Sequence, residues 1–319
     1  MSLIDLHCDT FWQIDEHPEK QLYENDLCVD VKKLQQADSM AQFFACFIYT
    51  EKEGHERYRG SYEKALRMIK RAKEEFAKNK EHVQLTKDYQ QLIENSEKGT
   101  ISAFLSIEEG GILEGRIERL EELYKEGIRL MTLLWNFENC IGFPNSKDAK
   151  VMEKGLAAFG IEVVERMQEL GMLVDVSHLS DGGFMDVAKH SKKPFVASHS
   201  NARFLCNHPR NLSDDMIRIL ANAGGVAGVN FYPYFLKTSG VATVEDIIDH
   251  VCYMMNIGGE EVITVGTDFD GFDEGTLDMA HIGEMSRLLH AMKKRGITER
   301  QIDKIFYENA QRVIKEGMR

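Results

Sequence analysis

The 319-residue sequence lacks the features that mark several large classes of protein. It has no run of about 18 apolar residues, which a transmembrane helix would require. It begins without a basic segment followed by an apolar one, so we expect no signal peptide and a cytoplasmic location. Its six cysteines include no Cys-x-x-Cys pair. This spacing argues against a zinc finger and against a disulfide framework, and it is typical of a reducing compartment.

Basic residues are also few relative to acidic ones, with 39 Lys and Arg against 52 Asp and Glu, which gives a formal net charge of −13. This charge disfavours nucleic acid and anionic membrane surfaces as partners, but it does not disfavour a bound cation. The sequence shows no Pro- or Ser-rich linker, no low-complexity tract and no internal repeat. We therefore expect a single domain over residues 1–319.

The sequence does contain an alternation of short apolar segments and amphipathic helical segments. The short segments are apolar on both faces, as buried parallel strands are, and in the helical segments Lys and Glu separate apolar positions at helical spacing. This order predicts an α/β fold, namely a closed (β/α)8 barrel of the TIM type, with a doubly wound open sheet as the alternative. The predicted strands are residues 3–6, 41–49, 101–107, 128–134, 172–176, 194–197, 226–231 and 262–266. The predicted helices are residues 61–78, 116–125, 157–170, 186–191 (the end of a short helix), 214–223, 244–257, 279–295 and 299–314.

Side chains that bind metals follow five of these predicted strands. The first strand ends in His7-Cys8-Asp9, and residues two apart along a strand point the same way. An imidazole and a carboxylate aimed together make half of a zinc-type site. The other strand ends carry Glu108 and Glu109, His178, His199 and Asp268. Because barrels of this type carry their chemistry at the C-terminal ends of the strands, we predict a metal site there.

Each of these residues also has a structural explanation. Glu108 or Glu109 could cap the helix that follows, either histidine could be a satisfied structural residue, and Asp268 could brace a turn. Their coincidence at five strand ends favours a metal site. Three imidazoles with two or three carboxylates exceed the needs of one tetrahedral zinc. They suit two ions about 3.5–4 Å apart that share a carboxylate and a hydroxide, which predicts metal-assisted hydrolysis of an amide-like or ester-like bond.

The sequence resembles the membrane dipeptidase family (renal dipeptidase type), whose members are zinc peptidases with a barrel related to that of the amidohydrolases. The resemblance extends over nearly the whole chain. It rests on these segments in order: DLHCDT, SIEEGG, GIRLMTLLWNFEN, DVSH, ASHSNAR, HPRNLSDD, GVNFYP and GTDFDG. It implies a dipeptidase with two Zn²⁺ per chain, in which a metal-bridging hydroxide attacks dipeptides that have a free C-terminal carboxylate and an L- or D-residue at that end. A homodimer would also be in keeping with the family.

The resemblance also implies roles for the residues at the strand ends. His7 and Asp9 would bind one zinc ion, and His178 and His199 would bind the other. Glu108 would bridge the two ions, with Glu109 as the alternative because the apolar-Glu-x-Gly pattern admits either register.

Further positions match residues that act on the substrate in this family. Asp268 would handle the proton of the attacking water. Arg210 would hold the C-terminal carboxylate of the substrate, a role that suits the guanidinium fork, although it could also be an ordinary surface arginine. Asn230 and Tyr232 would lie near the substrate pocket.

The sequence departs from the family pattern after the fourth predicted strand. Better-known members carry there a histidine that stabilises the tetrahedral intermediate, whereas this chain has Trp135 followed by Asn136. Either side chain has an N–H that could take over this role, or the role could be missing.

Two other functions remain as alternatives. One is a different amidohydrolase, such as a deacylase, lactonase or deaminase, but that group commonly has His-x-His on the first strand and a carboxylated lysine as the bridge. The other is a metal-binding homologue without catalytic activity, which we disfavour because Asp268 and Arg210 are both present.

Overall fold

A computed structural model of the protein describes residues 2–50 and 57–318. Its strands β1 to β11 are, in chain order, Leu3–Cys8, Ser39–Phe47, Val83–Leu85, Ile101–Glu108, Ile128–Thr132, Leu173–Asp175, Val196–Ala197, Val226–Val229, Val241–Ala242, Ile263–Val265 and Thr276–Leu277. Its helices α1 to α14 are Thr10–Glu16, Val31–Gln36, Ser61–Lys78, Tyr89–Glu97, Ile117–Glu126, Ala149–Met152, Ala158–Leu170, Asp181–His190, Asp214–Asn222, Pro233–Leu236, Val244–Gly258, Met285–Lys294, Glu299–Asp303 and Asn309–Gly317.

Eight of the strands close into a parallel barrel. Their hydrogen-bonded order is β2-β1-β10-β8-β7-β6-β5-β4, and pairing of β2 with β4 closes the circle. Strand β3 adds to β4 outside this circle, and β9 pairs with β11 in a separate ribbon. Each of the eight predicted strands overlaps one barrel strand. The predicted (β/α)8 barrel is therefore confirmed, and the open doubly wound sheet is excluded.

The barrel has an apolar interior that is closed at one end by the last helix. One buried cluster takes residues from seven of the barrel strands, β1, β2, β4, β5, β6, β7 and β8, and joins them to Ala310, Val313 and Ile314 of α14. A larger cluster fills the space between the strands and the surrounding helices. Burial on both sides explains why the strands read as continuous apolar segments.

The C-terminal helical region differs from its prediction. The helix predicted over residues 299–314 is divided into α13, a π-helical segment over Lys304–Glu308, and α14. The backbone carbonyl of Ile305 in this segment accepts a hydrogen bond from Thr264 Oγ1 of β10 (3.0 Å). Such single π-helical turns are rare and occur mostly within α-helices, as here.

Two expectations from composition can be compared with the structure. All six cysteines are free thiols, in keeping with the expected absence of a disulfide framework. Within residues 2–50 and 57–318, no helix combines the length and the apolar character needed to cross a bilayer.

Candidate active site

The metal-binding side chains that the sequence predicts meet at the C-terminal mouth of the barrel. They come from five strands that are distant in sequence, so only closure of the barrel brings them together. His7 lies in β1 and Glu108 ends β4, while Asp9, His178, His199 and Asp268 follow β1, β6, β7 and β10. All are buried except Asp268, whose side chain is 15% exposed.

Glu108 lies at the centre of this cluster, and its two carboxylate oxygens face different histidines. Oε2 lies 3.2 Å from His7 Nε2. Oε1 lies 3.0 Å from His178 Nε2 and 3.6 Å from His199 Nε2. Glu108 therefore offers one carboxylate oxygen to His7 and the other to His178 and His199.

The remaining carboxylates approach the cluster from the side of His7. Asp9 Oδ2 lies 3.4 Å and Asp268 Oδ1 3.7 Å from His7 Nε2. The ligand atoms fall into two overlapping groups of three, each within 4.8 Å of one another, namely His7, Glu108 and His199, and His7, Asp9 and Asp268.

Several atoms of this cluster are buried without a hydrogen bond. Among the described residues, His7 Nδ1, His7 Nε2 and Asp9 Oδ1 have no hydrogen-bonding partner. Burial of unpaired polar atoms is costly, and a bound cation would satisfy His7 Nε2 and the Asp9 carboxylate. Imidazole and carboxylate are donors that divalent transition metals accept, so this set of residues fits a metal centre.

In this cluster, the pKa values of the carboxylates and of His7 are set by burial and by one another's charges. Burial opposes a charge on His7, but the neighbouring Glu108 and Asp9 carboxylates outweigh it and raise the pKa of His7 well above its usual value. Burial alone would raise the pKa of Glu108, yet His7 and His178 hold it below its ordinary value. Asp9 has its pKa raised by burial and by Glu108.

The other two histidines are held neutral. Burial, aided by the positive charge of Arg210, lowers the pKa of His178 to about 4. Burial and the proximity of His7 lower the pKa of His199 well below its usual value. A neutral imidazole is the form that binds a metal ion.

Hydrogen bonds to the far side of each ring determine which nitrogen faces the cluster. His199 Nδ1 lies 2.7 Å from Ser198 Oγ, which itself donates to Asp175 Oδ2 (2.5 Å). His199 Nδ1 therefore donates to the serine oxygen. His178 Nδ1 lies 3.1 Å from Asn136 Oδ1, which accepts its proton. Both rings therefore turn Nε2 toward Glu108, and this is the nitrogen that would bind a metal ion when it is unprotonated.

Two buried aspartates that the sequence analysis did not single out support these ligands from below. Asp175 accepts from Thr132 Oγ1 (2.6 Å), Ser177 N (3.0 Å), and Ser198 N and Oγ (2.8 and 2.5 Å), and so ties β5, β6 and β7 together.

Asp5 does the same on the opposite side of the barrel. It accepts from Thr267 N and Oγ1 (2.8 and 2.7 Å), Gln42 Nε2 (2.9 Å) and the backbone N–H of His7 (3.3 Å). Each aspartate lies two or three residues before a histidine of the cluster. That spacing, within an otherwise apolar strand, is the sequence signal that could have identified them.

The backbone is strained where the ligands leave the strands. His178 and Asp268 have φ values of 70° and 62°, in the left-handed region that non-glycine residues rarely occupy. Glu109 and Asp270 beside them also have positive φ values. Such strain persists where surrounding contacts fix the conformation, and it is concentrated at functional sites.

A cavity of about 540 Å³ opens over the cluster and contains several of the predicted substrate residues. This volume lies within the ~300–1,000 Å³ of small-molecule sites. Arg210, Trp135, Asn136 and Tyr232 line it together with Glu108, His178 and Asp268. Asn230 lies behind Asp268, to which its Nδ2 donates a hydrogen bond of 2.8 Å.

Arg210 is a buried cation at this cavity rather than a surface arginine, with 5% of its surface exposed. Its Nη1 donates to Ser200 Oγ (3.2 Å) and its Nη2 to the carbonyl of His199 (3.1 Å). Its Nε is buried without a partner, and no carboxylate in the described part of the chain forms an ion pair with it. Burial lowers the pKa of Arg210, and the charges of Asp268, Glu108 and Asp175 oppose this effect.

The comparisons with known proteins agree with this geometry. The family model of membrane dipeptidases (peptidase family M19) matches residues 1–318. An uncharacterized dipeptidase of Schizosaccharomyces pombe is 29% identical over 309 residues, which cover 92% of this chain and 74% of that protein. An uncharacterized Klebsiella pneumoniae protein from the pqqA 5′ region is 36% identical over 221 residues, covering 66% of this chain and 79% of that protein.

Solved structures share the fold at low sequence identity. A metallo peptidase from Rhodobacter sphaeroides, liganded with a phosphinate mimic of the dipeptide L-Ala-D-Ala, has a TM-score of 0.90 at 21% identity over 99% of both chains. The probable dipeptidase PvdM from Pseudomonas aeruginosa has a TM-score of 0.83 at 19% identity, covering 92% of this chain and 90% of that one. Because the family model extends over nearly every residue, the resemblance seen in the sequence is confirmed: the chain belongs to the membrane dipeptidase family, peptidase family M19, and is a metallo-dipeptidase.

Proposed function

We propose that the protein hydrolyses dipeptides that have a free C-terminal carboxylate, with two zinc ions held at the mouth of the barrel. The observation that carries this proposal is the position of Glu108, whose two oxygens face separate histidines at the floor of a cavity that also exposes the unpaired guanidinium of Arg210. A two-ion centre and a receptor for a carboxylate in one cavity suit a short peptide with a free C-terminus.

In this proposal the cluster divides into two ligand sets joined by Glu108. His7 and Asp9 would hold one ion and His178 and His199 the other, and Glu108 would contribute to both sets. The chemistry that zinc would supply at these residues is a lowered pKa of a water molecule and polarisation of the scissile carbonyl.

Asp268 is the residue that we propose handles protons. Its Oδ2 is held by Asn230 Nδ2 (2.8 Å), while its Oδ1 faces His7 Nε2 at 3.7 Å and the side chain borders the cavity. Burial raises the pKa of Asp268 to about 6. A carboxylate at the edge of the cavity is a suitable group to accept a proton. Asp268 accepts a proton from the attacking water and delivers it to the leaving amine.

Arg210 is the residue that we propose selects the length of the substrate. Its contacts with Ser200 and with the carbonyl of His199 fix the guanidinium close to the ligand cluster. A carboxylate held by this fork is separated from the scissile carbonyl by a single residue, so tripeptides cannot satisfy both contacts.

Of the two candidates for the missing histidine, Asn136 is the better placed donor. Its Oδ1 contact with His178 holds the amide beside the ligand cluster, and the residue borders the cavity. The Trp135 ring instead packs edge-on against Phe47. We propose that the Asn136 amide N–H stabilises the oxygen of the carbonyl under attack.

A panel of peptides tests the proposed function. The zinc-loaded protein is assayed with L-Ala-L-Ala, L-Ala-D-Ala, L-Ala-L-Ala amide and tri-L-alanine, before and after treatment with a chelator. We expect cleavage of the two free dipeptides only, loss of activity with the chelator and recovery when zinc is restored. Cleavage of the amide at the dipeptide rate would contradict the role of Arg210, and failure of the zinc-loaded protein to cleave any dipeptide would overturn the proposed function.

A further inference from the structure

We propose that the cavity contains a subsite for a large apolar or aromatic side chain on the N-terminal residue of the dipeptide. We call it the aromatic wall, and it consists of Trp12, Phe47, Tyr49 and Trp135. The inference rests on the proposed function, because the position of Arg210 gives the substrate its direction.

The four rings form a continuous surface that lines the cavity. Phe47 packs against Trp12 with ring centroids 5.3 Å apart at 90°, and against Trp135 at 5.0 Å and 61°. Trp135 in turn packs against Tyr49 at 5.7 Å and 79°. These edge-to-face contacts hold each ring in place, so the wall is formed before a ligand arrives.

The wall and Arg210 lie on opposite sides of the ligand cluster. Phe47 ends β2 and is the register partner of Glu108 on β4, so the centre of the wall is beside the proposed bridging carboxylate. Trp12 lies in α1, which follows β1, and Trp135 follows β5. Arg210 contacts the carbonyl of His199 after β7, across the barrel from β2 in the closed strand order.

This placement determines which residue of the substrate meets the wall. With the C-terminal carboxylate at Arg210 and the scissile carbonyl over Glu108, the N-terminal residue continues toward β2 and its side chain reaches the rings. Phe47 is only 5% exposed, whereas Tyr49 is 43% exposed. The wall is therefore closed beside Glu108 and open to solvent at its outer end, which accommodates a long side chain.

The position at which the sequence departs from the family pattern belongs to this wall. Trp135 places a large apolar ring where the family pattern has an imidazole. The rings of Phe47, Tyr49 and Phe137 pack against it. A dipeptide with an aromatic N-terminal side chain would bury that side chain against this surface. Its kcat/KM should exceed that of the same dipeptide with an N-terminal glycine by roughly tenfold or more, because the burial of one apolar side chain has about that effect.

The experiment compares four dipeptides, Phe-Ala, Gly-Ala, Ala-Phe and Ala-Gly, with the zinc-loaded wild type. We expect kcat/KM for Phe-Ala to exceed that for Gly-Ala by about tenfold or more, and this ratio to exceed the ratio of Ala-Phe to Ala-Gly. The variants Trp135→Ala and Tyr49→Ala should lower the Phe-Ala to Gly-Ala ratio. Tyr49→Ala removes a half-exposed side chain, so it provides a second test if Trp135→Ala does not fold.

Phe204→Ala is the matched control, because Phe204 is 74% exposed and stacks on Tyr253 away from this cavity. It should keep the wild-type ratio. Cleavage of Gly-Ala at the rate of Phe-Ala, or an unchanged ratio in both wall variants, would overturn the aromatic subsite and leave the dipeptidase proposal standing. If none of the four dipeptides is cleaved, the proposed function fails and this inference fails with it.

Discussion

At the scale of single residues, two adjacent glutamates at the end of β4 have separate surroundings. Glu108 faces the histidine cluster, whereas Glu109, with φ 98° and ψ 82°, turns toward the loop after β5. There Glu109 accepts hydrogen bonds from Asn139 Nδ2 (2.6 Å), Gly111 N (2.7 Å) and Trp135 N (3.3 Å). From the sequence pattern alone either glutamate could face the histidines. The backbone angles of Glu109, which turn its side chain away from them, cannot be read from the sequence.

Substitution of each glutamate by glutamine should distinguish their roles. Glu108→Gln removes the shared charge between the two ligand sets, so we expect loss of most bound zinc and a fall in activity of about a thousandfold. Glu109→Gln should keep the zinc and lower kcat/KM by roughly tenfold, because the loop that carries Trp135 and Asn136 loses its anchor. Zinc content and dipeptide hydrolysis are measured on both variants. Full zinc occupancy in Glu108→Gln would contradict the bridging role.

Asp268→Asn tests the proposed proton transfer. The amide has the shape of the carboxylate but cannot accept the proton of the attacking water, so kcat should fall by about 10²–10⁴-fold. Zinc content should be retained, because His7, Asp9, Glu108 and the other histidines are unchanged. Bound zinc is quantified on the same samples that are assayed. A variant with wild-type turnover would remove Asp268 from the mechanism.

At the scale of elements, the buried aspartates connect neighbouring strands beneath the ligands. Asp175 joins β5, β6 and β7 through side-chain and backbone donors, and so fixes where His178 and His199 emerge. Asp175→Asn replaces an acceptor with a donor toward Ser198 and Thr132. We expect this change to lower the free energy of unfolding by about 2–4 kcal/mol and to weaken zinc binding by about 10–100-fold.

Denaturant unfolding and zinc titration measure these two effects. The control is Asp215→Asn, which alters an exposed ion pair with Arg218 and should change stability by less than about 0.5 kcal/mol. Equal stabilities of the two variants would show that Asp175 does not brace the strands.

Secondary structure is predicted well from the sequence where a strand is buried within a long apolar segment. All eight barrel strands are found, because each is covered on both faces. Strands β3, β9 and β11 are missed, since they lie outside the barrel, are partly exposed and do not belong to a longer apolar segment. Helices α1, α2, α4, α6 and α10 are missed as well, whereas the helix predicted to end over residues 186–191 is α8. The candidate ligands stand out in the sequence because each lies at or just after the end of a strand. Asp5 and Asp175 are marked only by their spacing before a histidine of the cluster, which is a weaker signal.

At the scale of the whole molecule, the closed barrel brings together residues that are 261 positions apart in the sequence, from His7 to Asp268. The net charge of −13 adds a long-range attraction for cations to the local one. Metal binding at this mouth would therefore connect the first strand of the barrel to the last, and its effect should appear in the stability of the entire fold.

Removal of zinc should accordingly lower the melting temperature. A ligand that binds only the folded state at 1,000 times its Kd stabilises that state by about 4 kcal/mol, which for a chain of this size corresponds to a shift on the order of 5 °C. We expect this shift between zinc-loaded and chelator-treated protein in calorimetry near pH 7.5. It should shrink near pH 5.5, because protons compete more strongly with the metal for His7 and Asp9, whose pKa values lie above their usual ranges. Glu108→Gln is the control, since a protein without the bridging carboxylate should melt at nearly the same temperature with and without zinc. A large zinc-dependent shift in that variant would place the stabilising ion elsewhere in the molecule.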